Sequence, residues 1–135
     1  MIVVDASVVA FLMIEGELTH AVRELHRMDP DWVTPPILNH EMLNILAVIG
    51  SEEKSSLAME GIWREVRALC ASRQQVPDPV RSLRLAVDLE ISGNEAQYLC
   101  LAQSLDLTLV TEEERLLHAA PERSVGVRKY LASLS

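Results

Sequence analysis

Asp5, Glu41, Glu95 and the run Glu112-Glu113-Glu114 are the residues whose types and placing suggest shared chemistry. Asp5 closes the apolar run Ile2-Val3-Val4, and the three glutamates follow a second run, Leu107-Thr108-Leu109-Val110-Thr111. Both runs read as buried parallel strands. An acid just past the carboxyl end of such a strand lies where open α/β sheets bind ligands. Two carboxylates about 4–5 Å apart repel by roughly 3–4 kcal/mol at an effective dielectric of 20, so an acidic pocket calls for a cation. Asp and Glu without His or Cys suit a hard ion such as Mg²⁺ or Mn²⁺. An ion of that kind activates water and stabilises charge on a phosphoryl group.

Each acid also has a plainer explanation. Asp5 suits the N-cap of a helix starting at Ala6. Glu95 and the three glutamates open helices, where an acid complements the helix dipole. Glu41 shares a helix face with Asn44, which could simply be solvated. Yet Met42, Leu43, Ile45, Leu46 and Ala47 make that helix apolar on most sides, so it is expected to be buried, with Glu41 in a groove. The constellation therefore carries more weight than its members.

The elements that must position these acids alternate along the chain. Helices are expected over Ala6 to Met13, Leu18 to Met28, Ile37 to Ile49 (ended by Gly50) and Glu52 to Ser72. Further helices are expected over Val80 to Leu89, from a cap at Ser92 or Asn94 to about Leu105, over Glu112 to Ala120, and over Tyr130 to Leu134. Strands are expected at Ile2 to Val4, Trp32 to Thr34 and Thr108 to Val110, with short ones at Gln74 to Val76 and Val125 to Val127. The inward stripes are Leu18, Val22 and Leu25, then Leu38, Met42, Ile45 and Leu46, then Leu57, Ile62, Val66 and Leu69. This βα alternation predicts an α/β fold, a three-layer α/β/α sandwich with a central, mainly parallel sheet, as a single domain over residues 1–135.

Composition narrows the options. Aromatics make up 4% of the chain, so Leu, Val, Ile and Ala must build the core, as in helices packed on a parallel sheet. The net charge of −8 disfavours a general nucleic-acid binder. It agrees with a nuclease that spends carboxylates on metal ions, or with a basic partner chain. Cys70 and Cys100 have no ligand spacing and read as buried thiols, as in a reducing cytosol. His20, His26, His40 and His118 show no ligand pattern and read as surface or packing residues. Met1 runs straight into a strand, and no apolar stretch could span a bilayer, so a cytoplasmic protein is expected.

Met-Ile-Val-Val-Asp-Ala-Ser at the start, Pro36 through Glu41 to Asn44-Ile45-Leu46, Glu95-Ala96-Gln97-Tyr98-Leu99, and Leu107 to Thr111 with the acids and Arg115-Leu116 after it resemble the PIN-domain family. The likeness is to the VapC-type toxins of bacterial and archaeal toxin–antitoxin pairs, and it covers nearly the whole chain. It implies a Mg²⁺- or Mn²⁺-dependent endoribonuclease whose acids are Asp5, Glu41, Glu95 and Glu113, supported by Ser7, Asn44 and Thr111. It also implies an antitoxin partner and a homodimer. Arg23, Arg27 and Arg115 are candidates to grip the RNA backbone. The sequence departs from the family where the third and fourth acids, usually Asp, are Glu; which of Glu112, Glu113 and Glu114 turns inward is open.

Two other readings stand beside it. One is a PIN-like module that binds a partner protein without cleaving RNA. The other is a phosphatase of the haloacid-dehalogenase type, which wants a second Asp two residues after the first, where this chain has Ser7. No G-x-G-x-x-G follows the first strand and no P-loop is present, which disfavours dinucleotide and nucleoside-triphosphate binding.

Overall fold

The computed structural model describes residues 1–135. Four strands form one sheet: β1 (Ile2–Val4), β2 (Trp32–Val33), β3 (Leu109–Val110) and β4 (Ser124–Val125). Their order is β2-β1-β3-β4, and every pairing is parallel. Val3 stands opposite Val33 on one side and Leu109 on the other, and Val4 stands opposite Val110. A parallel sheet needs cover on both faces, which is why β1 can be Ile-Val-Val with all three side chains buried. Eight helices provide that cover, in a three-layer α/β/α sandwich as expected.

From β1 the chain goes first to β2 on one side and later to β3 on the other. The sheet therefore has its switch point between β1 and β3. Helices leaving neighbouring strands diverge at such a point and open a crevice at the strands' carboxyl ends.

The helices are α1 (Ala6–Met13), α2 (Thr19–Met28), α3 (Ile37–Glu53), α4 (Ser56–Cys70), α5 (Pro79–Leu89), α6 (Gly93–Leu105), α7 (Glu114–Ala119) and α8 (Val127–Ser133). Helix α1 follows β1 with only Asp5 between them, and α7 follows β3 after Thr111, Glu112 and Glu113. Helix α6 packs against both central strands. Val22, Leu25, Leu38, Met42, Val66 and Leu99 join the strand residues in one core.

The structure corrects several boundaries. Helix α3 does not stop at Gly50; it continues to Glu53 and ends where Lys54 adopts a left-handed conformation (φ 53°). Gly50 lies inside the helix at the crossing with α4, where a Cβ would come within 2.8 Å of Met59 Cγ. The next helix starts at Ser56, capped by the Ser55 side chain, and its last turn becomes a 3-10 turn over Ala71–Arg73. Leu57, expected inside, is 76% exposed in the first turn of α4. The strand expected at Gln74 to Val76 is one parallel bridge, Thr34 to Gln74. The last strand sits at Ser124–Val125, because Gly126 already caps α8.

Helix α3 is also less buried than its composition suggested. Leu38, Met42 and Leu46 are inside, but Leu43 is 47% and Val48 60% exposed. Apolar residues all round this helix therefore give it a second apolar face that the chain itself leaves uncovered.

Candidate active site

A cleft of about 350 Å³ opens at the carboxyl ends of β1 and β3, and Asp5, Glu41, Glu95 and Glu113 all line it. The four acids come from four segments: the β1–α1 junction, α3, the first turn of α6 and the N-cap of α7. Ser7 and Asn44 line it too. A larger groove of about 580 Å³ lies between α3 and α4, away from these acids, among Leu43, Leu46, Met59 and Trp63.

Asp5 is the fixed point of the cleft. It is buried, and its side chain caps α1 by accepting the Val8 N–H at 3.3 Å. Its Oδ1 also accepts the Ser7 hydroxyl at 2.5 Å, and its Oδ2 accepts the Thr111 hydroxyl from beside β3. Both hydroxyls are in turn held by backbone: Ser7 Oγ accepts the Glu112 N–H at 3.1 Å and Thr111 Oγ1 accepts the Glu113 N–H at 2.9 Å. Each hydroxyl oxygen thus accepts a backbone proton and gives its own to Asp5. Desolvation nevertheless pushes the Asp5 carboxyl up to about 6, against the hydrogen bonds from Ser7, Thr111 and Val8, and the charge of Glu41 adds to the rise.

Glu41 stands across the cleft on α3. The Tyr98 hydroxyl donates to its Oε1 at 2.5 Å. Burial raises the Glu41 carboxyl above its ordinary range, the Tyr98 bond lowers it, and the charges of Glu95 and Glu113 raise it further. The carboxylates therefore feel one another, as acids sharing one pocket must.

Glu95 has a second occupation. Its Oε1 accepts the Ser92 N–H at 2.8 Å while Ser92 Oγ accepts the Glu95 N–H at 3.0 Å, a reciprocal capping box that starts α6. Among the three glutamates, Glu112 turns its Oε2 to the Val127 N–H at 2.8 Å and ties down the start of α8. Glu114 is exposed in the first turn of α7, and Glu113 is the one that lines the cleft.

These donors are all oxygen and suit a hard divalent ion. As the side chains stand, no three of them are arranged to hold one ion together. Glu95 is engaged at its cap and Glu113 is exposed, so an ion would have to draw both inward by side-chain rotation.

The arginines stand apart. Arg23 pairs with Glu15 at 3.3 Å, Arg27 pairs with Glu24, and both are exposed on or beside α2. Neither lines the cleft. Arg115 falls between the cleft-lining Glu113 and Leu116 in sequence, with its own side chain exposed. Sequence reasoning missed Tyr98. The available signal was spacing: Tyr98 lies one helical turn after Glu95 and shares its face.

No protein-family model and no curated protein matches the chain. Its fold is similar to the crystal structure of PAE2754 from Pyrobaculum aerophilum, with a TM-score of 0.73 over 98% of this chain and 94% of that one. The two are 21% identical in sequence, so the likeness extends to the fold.

Proposed function

We propose that this chain is a metal-dependent endoribonuclease of the PIN-domain type, the toxin half of a type II toxin–antitoxin pair. One observation carries the reading: four carboxylates from four distant segments line one cleft at the switch point of a parallel sheet. Acids that raise one another's pKa are costly to gather, and a cation is the simplest compensation.

Asp5, Glu41, Glu95 and Glu113 would hold Mg²⁺ or Mn²⁺, which supplies water activation and charge neutralisation at the phosphodiester. Ser7 and Thr111 keep Asp5 in place, so that it meets an ion without reorganising. Asn44 offers its amide at the cleft wall to Glu41 or to substrate. With Arg23 and Arg27 occupied on α2, Arg115 is the better placed of the candidate phosphate grips. The net charge of −8 supports a basic antitoxin as partner. The apolar residues exposed on α3 (Leu43, Val48) and α5 (Val80, Leu83, Val87) offer surface for that antitoxin or for a second copy in a homodimer. A cytoplasmic location follows from the same reading.

The test is cleavage of a panel of structured RNAs by purified protein with Mg²⁺ or Mn²⁺, with EDTA, and by Asp5→Asn. Cleavage lost in both EDTA and the variant is the expected result. The engagement of Glu95 in its cap favours a second reading, a PIN-like module that binds a protein partner and does not cleave. A Mn²⁺ titration showing no binding, together with uncut RNA, would select it.

A further inference from the structure

Tyr98 is buried at 2% exposure, yet it ends on a charged group. Its phenol O–H donates to Glu41 Oε1 at 2.5 Å, across the cleft floor between α6 and α3. That bond engages Glu41 Oε1 and leaves Oε2 without a hydrogen bond, so Oε2 is the oxygen an ion meets at least cost.

We propose that Tyr98 sets which divalent ion the cleft prefers, by restricting Glu41 to a single ligating oxygen. The inference rests on the reading of the cleft as a divalent-cation site. Mg²⁺ is small, needs a near-octahedral shell and takes carboxylates through one oxygen, whereas Ca²⁺ accepts bidentate carboxylates and more ligands. A Glu41 held at Oε1 favours the first and penalises the second. Tyr98 is thus a positioning residue for the metal, one that never touches the ion. Groups in that position commonly change metal affinity by 10–100-fold when altered.

The experiment measures Mg²⁺ and Ca²⁺ dissociation constants by calorimetry for the wild type and Tyr98→Phe. Removing the hydroxyl should raise the Ca²⁺ affinity relative to Mg²⁺ by about tenfold or more. A packing role alone would weaken both ions together and leave their ratio unchanged, which would overturn the inference. If the wild type binds neither ion, the reading of the cleft falls and takes this inference with it.

Should Tyr98→Phe fail to fold, the wild type decides. A carboxylate bound through one oxygen splits its two infrared stretches widely, and one bound through both splits them narrowly. Spectra of ¹³C-glutamate-labelled protein with Mg²⁺, less those of Glu41→Gln, should show the wide splitting. The narrow splitting would overturn the proposal.

Discussion

At Asp5 burial and charge oppose each other. Its carboxyl titrates at about 6 in the folded chain against an ordinary 3.8. The folded state therefore binds that proton more tightly than the unfolded state does. Stability should fall as pH rises from about 4 to about 6 and level off above, by on the order of 3 kcal/mol. Asp5→Asn removes this titration, so the wild-type melting temperature minus the variant's should decline across that window. A flat difference would mean that Asp5 is better solvated than its burial implies. At this scale the sequence was partly legible. Asp5, Glu95 and the run Glu112-Glu113-Glu114 could be named because strand ends and helix starts are readable, and Glu41 because its helix is apolar around it; the resemblance alone singled out Glu113, and all four line the cleft. Tyr98 was hidden among Ala96, Leu99 and Leu101, since a residue's partner across the fold leaves no local mark. Arg23 and Arg27 looked available for a different reason: their partners Glu15 and Glu24 are near in sequence, and the local pairing was overlooked.

Among the elements, the α3–α4 hairpin departs most from expectation. Gly50 resembled a helix end, but the turn is made by Lys54 in a left-handed conformation, with its N–H bonded to the Gly50 carbonyl. A non-glycine residue there costs roughly 1–2 kcal/mol, offset in part by the entropy glycine loses on folding. Lys54→Gly should therefore stabilise the protein by about 0.5–1 kcal/mol, and Lys54→Val should destabilise it, both read from urea titrations. A loss of stability in Lys54→Gly would show that the lysine's left-handed geometry is not the hairpin's cost. The elements that mattered for the site were more legible than this hairpin. Helix α1 begins and ends where its apolar pattern does, and of the two caps the sequence offered for α6, Ser92 and Asn94, Ser92 is the one used. The α3–α4 break was legible but its place was not, because Glu52, Glu53 and Lys54 are all good helix formers and carry the helix past Gly50.

For the whole molecule, net charge and cleft make the same prediction about ions. A ligand that binds only the folded state adds about 2.7 kcal/mol at a hundred times its dissociation constant. For a chain of this size that is on the order of 10 °C in melting temperature. Mg²⁺ or Mn²⁺ should produce this rise, and NaCl at matched ionic strength should produce far less. The same titration on Glu41→Gln should lose most of the divalent effect. An equal response to NaCl would assign the gain to screening of the −8 charge and not to the cleft.

The bond between Thr111 and Asp5 joins residues 106 apart in the chain. During synthesis Asp5 is made early and waits for the residue that fixes it. At typical translation rates of 5–20 residues per second the wait is roughly 5–20 s. Through that interval no nascent chain contains both central strands, so none can assemble the cleft. A product cut short before Thr111 lacks the cleft for the same reason. If the protein cuts RNA, the ribosome that makes it and the message it reads are spared until Thr111 has been added and has reached Asp5.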